Sequence, residues 1–339
     1  MLRLLGRMYA QAMRLRARVY ASGRISSWRP PGACISVGNI SWGGSGKTPL
    51  CAWVLDWGLR RGYRPALLTR GYRARPPHLP YMVQKDSPVA ASGDEPLMLS
   101  RQCPQAMVVV DPKRSRGGRR AYELAQPDLF LLDDGFQHVG VERDVDLVLI
   151  TEKDLGRDWN RVLPSGPWRE GVSALHRASA FVLNVLPGQG LQMRRTLQAR
   201  LGSEHQPVFS CHYHIQALRR VMDQGIVPAQ GQECVLVSGV GHPQRVAQSA
   251  SGYMARPPLA HCRYADHHAY TQGDWAHIAR TAQEVHADLI LCTQKDGVKL
   301  ENLADHRLCV LDMSLRFDPP PPGVPSLEQW LTQRLQARG

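Results

Sequence analysis

The strongest constraint on this chain is a glycine-rich turn set between a short apolar run and a helix-forming run. The run Ala33–Val37 leads into Gly38-Asn39-Ile40-Ser41-Trp42-Gly43-Gly44-Ser45-Gly46-Lys47-Thr48-Pro49. Three glycines within positions 43–46 let the backbone curl so that successive N–H groups point inward. Those donors and the N-terminus of the following helix make an anion site. Lys47 then reaches the terminal phosphates of a nucleotide, and the Thr48 hydroxyl takes a coordination position on Mg²⁺. Ser41 stands where the usual phosphate-loop pattern has its first glycine. A ligand-free glycine turn would explain the glycines. It would not explain Gly-Lys-Thr placed between a strand and a helix. Pro49 suits a first helical turn. Leu50, Trp53, Val54 and Trp57 then share one helix face.

Further apolar runs recur downstream, each followed by a stretch that can be helical. They are Ala66–Thr69, Met107–Val110, Leu129–Leu132, Val145–Ile150 and Phe181–Val185. This alternation predicts an α/β fold, a parallel sheet with helices on both faces. A second set begins near residue 205: Val208–Cys211, Cys234–Ser238, Leu289–Thr293 and Leu308–Met313, with a helix over 274–287. The expected organisation is an N-terminal helical segment, residues 1–30, a phosphate-loop domain, 31–205, and a smaller α/β lobe, 206–339. Ser326 can cap a last helix after Pro319–Pro322.

Acidic residues at strand and turn ends supply the remaining chemistry. Leu129–Leu132 runs into Asp133-Asp134, and a carboxylate at the end of a buried parallel strand can hold Mg²⁺ beside the loop. Gly135-Phe136-Gln137-His138 follows, and spacing alone gives Gln137 and His138 no role. A phosphoryl transfer to a hydroxyl needs a group that orients it and accepts its proton. Gly93-Asp94-Glu95-Pro96 and Ala265-Asp266-His267-His268 are the candidates. An Asp and a His from opposite lobes could pair across a closed cleft. The plain alternatives are a helix cap and a polar turn.

The net charge is +13, and no Asp or Glu precedes Asp56. Such a chain meets something acidic: anionic lipid, nucleic acid or a phosphorylated substrate. Residues 1–20 space Leu2, Leu5, Met8, Tyr9, Ala12, Leu15, Val19 and Tyr20 helically, with Arg3, Arg7, Arg14, Arg16 and Arg18 between them. This basic amphipathic helix can lie in a membrane interface or pack on the protein. Pro30-Pro31-Gly32 reads as a hinge after it. No apolar run is long enough to span a bilayer, and no signal peptide is evident. The eight cysteines form no C-x-x-C pair and read as small buried hydrophobes. Basic residues interleaved with aromatics, as for nucleic acid, are not seen.

Several segments occur in order: Val37-Gly38-Asn39, Gly43 to Pro49, Arg70-Gly71-Tyr72, Gly93-Asp94-Glu95-Pro96, Asp133-Asp134-Gly135-Phe136-Gln137-His138, Arg143-Asp144, Leu163 to Pro167 with Arg169-Glu170, Asp266-His267-His268 and Thr293-Gln294-Lys295-Asp296. Together they closely resemble the tetraacyldisaccharide 4'-kinases of lipid A synthesis. The resemblance covers nearly the whole chain, and the Asp-Asp-Gly-Phe-Gln-His string is its most specific part. It implies an enzyme that moves the γ-phosphate of ATP to the 4'-hydroxyl of a tetraacyldisaccharide 1-phosphate, giving lipid IVA. It implies Mg²⁺ as cofactor and a peripheral place on the cytoplasmic face of the bacterial inner membrane.

By the same resemblance, Ser41, Trp42, Gly43, Gly44, Ser45, Gly46, Lys47 and Thr48 bind the nucleotide. Asp94 is the catalytic carboxylate, with His267 its partner and Lys47 and Asp134 beside the reacting phosphate. Thr48, Asp133 and Asp134 hold the metal. Glu95, Gln137, His138, Arg169 and Glu170 lie near nucleotide or substrate. The family also lacks a glycine at the position of Ser41. Four departures stand out: Arg73 where the family often has glycine, Asp158-Trp159-Asn160 in place of a glycine-rich stretch, His242 for asparagine and Gln294 for glutamate. Two other readings stay open on the residues alone. One is a soluble small-molecule kinase or ligase, which would need neither the first helix nor His267. The other is a nucleotide-switched module at a membrane or on nucleic acid.

Overall fold

The computed structural model describes residues 2–44, 46–186, 188–202 and 206–337. The first half runs α1 (Leu2–Ala21), β1 (Ala33–Asn39), α2 (Lys47–Arg60), β2 (Pro65–Thr69), β3 (Tyr81–Val83), α3 (Val89–Ser92), α4 (Asp94–Gln102), β4 (Met107–Val110), α5 (Arg114–Ala125), β5 (Leu129–Asp133), β6 (Val145–Ile150), α6 (Glu152–Leu155), β7 (Ala180–Asn184) and α7 (Gly190–Leu201). The second half runs β8 (Val208–Arg220), β9 (Ile226–Val227), β10 (Cys234–Ser238), α8 (Pro243–Met254), β11 (Ala260–Arg263), α9 (Gln272–Glu284), β12 (Leu289–Thr293), α10 (Gln294–Leu300), β13 (Leu308–Phe317) and α11 (Leu327–Gln336). Every strand expected from an apolar run is present. The short strands β3, β9 and β11 were not foreseen, because two to four residues give too little alternation to register as a period.

β1 lies between β5 and β6, parallel to both, and its side chains alternate between the two faces. Ile35 and Val37 join the core under α2 and α4, while Cys34 packs on the other side with α5. α2 lays Leu50, Val54 and Trp57 on the sheet. Gly58 is needed there, since a Cβ would lie 2.6 Å from Leu129 Cδ2. α7 covers the opposite face with Met193 and Leu197. All eight cysteines are buried and free of disulfides.

The two halves share one sheet of 13 strands in the order β11-β10-β12-β13-β8-β7-β6-β1-β5-β2-β4-β3, with β9 beside β8. β8 and β13 are long, where the sequence suggested short runs. Val208–Cys211 pairs in parallel with β7, and Cys211–Arg220 pairs antiparallel with β13. β13 in turn is parallel to β12 over Leu308–Leu311. The ribbon therefore continues beyond the carboxyl end of β7 in one direction and beyond that of β12 in the other. Because β8 and β13 run antiparallel, the carboxyl ends of the two parallel sheets face each other across a cleft floored by the ribbon. Ligands of open α/β sheets gather at such strand ends.

The proposed 206–339 lobe also sends its last helix back to the first half. Leu327, Leu331 and Leu335 of α11 join the core beneath α2, and Ser326 caps the helix as expected. The Pro30–Gly32 segment is packed rather than free. Trp28 is buried edge-on against Phe130, and a Cβ on Gly32 would lie 2.4 Å from the Asp128 carbonyl oxygen. The turn that ends α1 comes earlier, after Ala21.

Gly38 near the end of β1 marks another close approach. A Cβ there would fall 2.5 Å from Phe136 Cβ and 2.8 Å from its amide nitrogen. Backbone cannot give way as a flexible side chain can. Gly38→Ala is expected to cost ~1–3 kcal/mol of stability, as overpacking does. Urea unfolding checks this, and an unchanged midpoint would refute the close-packing account.

Candidate active site

The phosphate loop is built as the glycines require. Gly43 and Gly46 have φ of 117° and 95°, values that side-chain-bearing residues rarely adopt. Gly46 also has no room for a side chain, because Asn184 Nδ2 and Tyr213 Oη would lie within 2.8 Å of its Cβ. Tyr213 belongs to the ribbon, so the cleft floor supports the loop. Ser41 is buried and bridges to Trp168, while Trp42 is exposed with the Arg169 guanidinium 5.6 Å from its ring centroid. Gly44 approaches the second half, where the His242 ring is 3.9 Å from its virtual Cβ. Ser45 lies outside the described residues.

Lys47 and Thr48 open α2. Lys47 Nζ is 3.3 Å from Asn39 Oδ1 and 3.6 Å from Asp134 Oδ1. The Thr48 hydroxyl donates to Glu95. Asp133 and Asp134 end β5 next to this loop. The Asp133 carboxylate accepts from the Thr69 hydroxyl at 2.8 Å. Burial, and then repulsion from Glu95 and Asp134, push its pKa up to about 6. Asp134 sits in the left-handed region with φ 51°. Burial works against its charge too, but the Lys47 and Arg169 cations prevail and hold it below the usual carboxylate range. Its Oδ2 accepts from Arg169 at 2.7 Å. Its Oδ1 is buried and accepts no hydrogen bond.

Gln137 and Arg169 complete this wall. Gln137 donates to the Asn39 carbonyl at 2.9 Å and accepts from Arg169 at 3.3 Å. His138 is held neutral, its pKa pushed down to about 4 by burial and by Arg114, Arg143, Arg16 and Arg70. Glu170 is turned away from the loop, buried in a two-pronged pair with Arg177. It lines a separate groove of about 340 Å³ under α1, with Arg14, Arg18 and Ser173.

The second centre lies across the cleft. Asp94 and Glu95 form the first turn of α4, where the helix dipole favours carboxylates. His267 follows β11 on a turn with φ 60° and places Nδ1 2.9 Å from Asp94 Oδ2. Asp94 is buried, which raises its pKa. The His267 hydrogen bond, with the Lys295 and Lys299 charges, outweighs that and holds it low. Lys295 and Lys299 project from α10 at i and i+4, on one helical face. The Thr293-Gln294-Lys295-Asp296 segment stood out in the sequence without a role for its lysine, and Lys299 did not stand out at all.

Three of the four departures make specific local contacts, and nothing in the structure explains His242. Arg73 occupies a left-handed position, φ 60°, where glycine is the relaxed choice, and donates to the carbonyls of Asp266 and His267. Asn160 is also left-handed, φ 52°, and its side chain accepts from the Val172 amide. The Gln294 amide donates to Asp312 at 2.8 Å, a bond that glutamate could not make.

Comparison with known proteins agrees with this geometry. Residues 1–336 match the tetraacyldisaccharide-1-P 4'-kinase family, LpxK. This chain belongs to the tetraacyldisaccharide 4'-kinase family. A tetraacyldisaccharide 4'-kinase of Oleidesulfovibrio alaskensis is 48% identical over 88% of this chain and 83% of its own. One from Nitratidesulfovibrio vulgaris is 42% identical over 97% of this chain and 92% of its own. The fold matches a crystal structure of LpxK from Aquifex aeolicus, described as an apo form in complex with ATP. The TM-score is 0.75 at 25% identity, over 98% of this chain and 96% of that one. As a member of the family, this 4'-kinase is an ATP-dependent enzyme of lipid A synthesis.

Asp133 carries a stability cost. It is ionised in the fold only above about pH 6, so the penalty is full there. It fades as pH falls and is gone below the ordinary carboxylate pKa near ~4. In nucleotide-free protein, Asp133→Asn is expected to gain ~2 kcal/mol at about pH 8 and little near pH ~4. Equal gains at both pH values would contradict the burial argument.

Proposed function

We propose that the chain transfers the γ-phosphate of ATP to the 4'-hydroxyl of a tetraacyldisaccharide 1-phosphate, forming lipid IVA, with the roles that follow. One observation carries the reading. The anion loop, the Asp133-Asp134 pair and the Asp94–His267 pair open on one cleft between facing strand ends.

The amides of the loop at 41–48 and the Lys47 ammonium bind the triphosphate. The donors near them are hard oxygens, as Mg²⁺ prefers: the Thr48 hydroxyl and the two carboxylates. Asp134 Oδ1, buried without a hydrogen bond, would be the ligand free to hold it, and Asp133, which accepts from Thr69, would support it. When bound, Mg²⁺ supplies charge against the phosphate oxygens as the transfer proceeds. Arg169 and Gln137 hold Asp134 in place and keep positive charge beside the transferred group. Asp94 accepts the proton of the sugar hydroxyl, and His267 orients Asp94. Asp94 is ionised in the fold, the form that can accept a proton. Glu95 accepts from the Thr48 hydroxyl and holds it at the mouth of the loop; with Mg²⁺ bound, that hydroxyl would be one of its ligands. Neutral His138, and Glu170 through Arg177, shape the substrate side.

α1 supports a membrane-interface role. Leu2, Leu4, Leu5, Met8 and Leu15 are exposed, the helix carries five arginines, and only Gly6 of its residues is buried. No helix among the described residues is long and apolar enough to cross a bilayer. An interfacial helix with arginines on lipid phosphates fits these facts. With a glycolipid substrate, this helix supports a peripheral position at the cytoplasmic face of the inner membrane.

The direct assay combines purified protein, Mg-ATP and tetraacyldisaccharide 1-phosphate and looks for a second phosphate on the sugar. Absence of that product sinks the reading. Lys47→Ala is expected to lose both ATP affinity and turnover. Asp94→Asn should keep ATP affinity and lose kcat by about 10²–10⁴; lost affinity in folded protein removes its assigned role. Replacing Leu4, Leu5 and Met8 together by serine should weaken binding to anionic liposomes by about tenfold or more. Unchanged partitioning would return α1 to a packing role.

A further inference from the structure

We infer that Lys295 is a positioning residue that fixes the hydrogen-bonding state of His267 and ties it to the phosphate-loop side of the cleft. The inference rests on the Asp94–His267 pair proposed above. It adds a residue to which the family resemblance attached no role. Lys295 Nζ lies 3.0 Å from His267 Nε2, 2.9 Å from Asp266 Oδ1 and 3.2 Å from Glu95 Oε1. An ammonium has three donors and no acceptor, and three acceptors surround this one. Burial disfavours its charge, but Glu95, Asp94 and Asp266 outweigh burial and keep Lys295 protonated.

The consequence for His267 follows from donor counting. Nε2 faces a group that can only donate, so Nε2 carries no proton. The ring proton is then on Nδ1, where it is donated to Asp94 at 2.9 and 3.1 Å. A doubly protonated ring would set N–H against N–H. Lys295 is what prevents that state. Without it, Nε2 faces only carboxylates, Asp266 at 3.8 Å and Glu95 at 3.9 Å, which accept hydrogen bonds and no longer oppose an N–H at that position. With the ring proton on Nε2, Nδ1 would have nothing to donate to Asp94, and the hydrogen bond that orients the carboxylate would be lost. The other charged group on this side, Lys299, faces Asp94 at 3.9 Å and Asp296 at 3.0 Å, not the ring. The Tyr72 ring packs on His267, and Arg73 holds its carbonyl, so the imidazole has no other donor or acceptor to turn to among the described contacts.

The same ammonium explains a cluster that resembles a metal site. Asp94, Glu95 and His267 offer ligand atoms within 4.8 Å of one another. Lys295 Nζ already stands beside all three, at 3.9 Å from Asp94 and closer to the other two. The cation of this cluster is the lysine. Through Glu95, which accepts from Thr48, it joins the second half of the molecule to the first turn of the phosphate-loop helix.

The test uses full-length protein labelled with ¹⁵N-histidine, with the His267 signals assigned by difference from His267→Gln. Wild type is expected to show Nδ1 protonated and Nε2 bare, the less common tautomer. Lys295→Arg, also donor-only, keeps that signature. Lys295→Met gains a proton on Nε2 and loses kcat at least tenfold, with ATP affinity within twofold of wild type. A protonated Nε2 in wild type overturns the proposal without recourse to any variant. So does a bare Nε2 or an undiminished kcat in Lys295→Met, or a parallel loss of ATP affinity. If Asp94→Asn retained turnover, the catalytic assignment of that carboxylate would fail. The histidine signals would still decide what Lys295 does.

Discussion

The antiparallel pairing of β8 with β13 is the constraint on which the rest depends. Each strand belongs to a parallel sheet at one end and to the ribbon at the other. Opposed chain directions in the ribbon force the carboxyl edges of the two sheets to confront each other. Strand ends expose backbone groups and loops that a buried sheet centre cannot. The cleft therefore inherits functional loops from both halves: the glycine turn and Asp133-Asp134 from one, the Asp266–His268 turn and α10 from the other. The ribbon also supplies Tyr213, whose hydroxyl closes on Gly46.

Within that cleft, most charged side chains meet a counter-ion. Asp94 at the start of α4 meets His267 and two lysines of α10. Asp134 meets Lys47 and Arg169 but keeps one oxygen unbonded. Asp133 is the exception, with its charge opposed by burial and by neighbouring carboxylates. The Thr69 hydrogen bond and the Lys47 charge offset this only in part, and a carboxylate so placed is costly to the resting fold. Such costs concentrate where an enzyme must bind a cation or move a proton. Left-handed backbone occurs there too, at Asp134 and His267 on opposite walls.

Much of the first half was legible in sequence because its signals are local. A strand of four to six apolar residues needs no partner to be recognised, and Gly-Lys-Thr after β1 announces its own conformation. Asp133-Asp134 could be placed beside the loop because β5 is a buried parallel strand, and β1 and β5 prove to be neighbours. The length of β8 and β13 was not legible. Their outer halves alternate polar and apolar residues, as in His212, His214 and Gln216 between Cys211, Tyr213 and Ile215, a strand signal that a search for continuous apolar runs passes over; the pairing itself joins strands about a hundred residues apart, which no local pattern gives. The packed segment at Trp28–Gly32 escaped for the same reason, since its partners are Phe130 and Asp128.

The sequence by itself determined which chemistry was present: an anion loop, paired aspartates, an Asp and a His in separate turns, and an arginine-rich first helix. These follow from residue type and short spacing, which one chain segment can encode alone. Only the tertiary structure decided which of these groups meet. Asp94 and His267 are 173 positions apart, and Lys295 reaches Glu95 across 200. No local rule fixes such distances. They are set by sheet order and by the direction in which the ribbon turns the second set of strands.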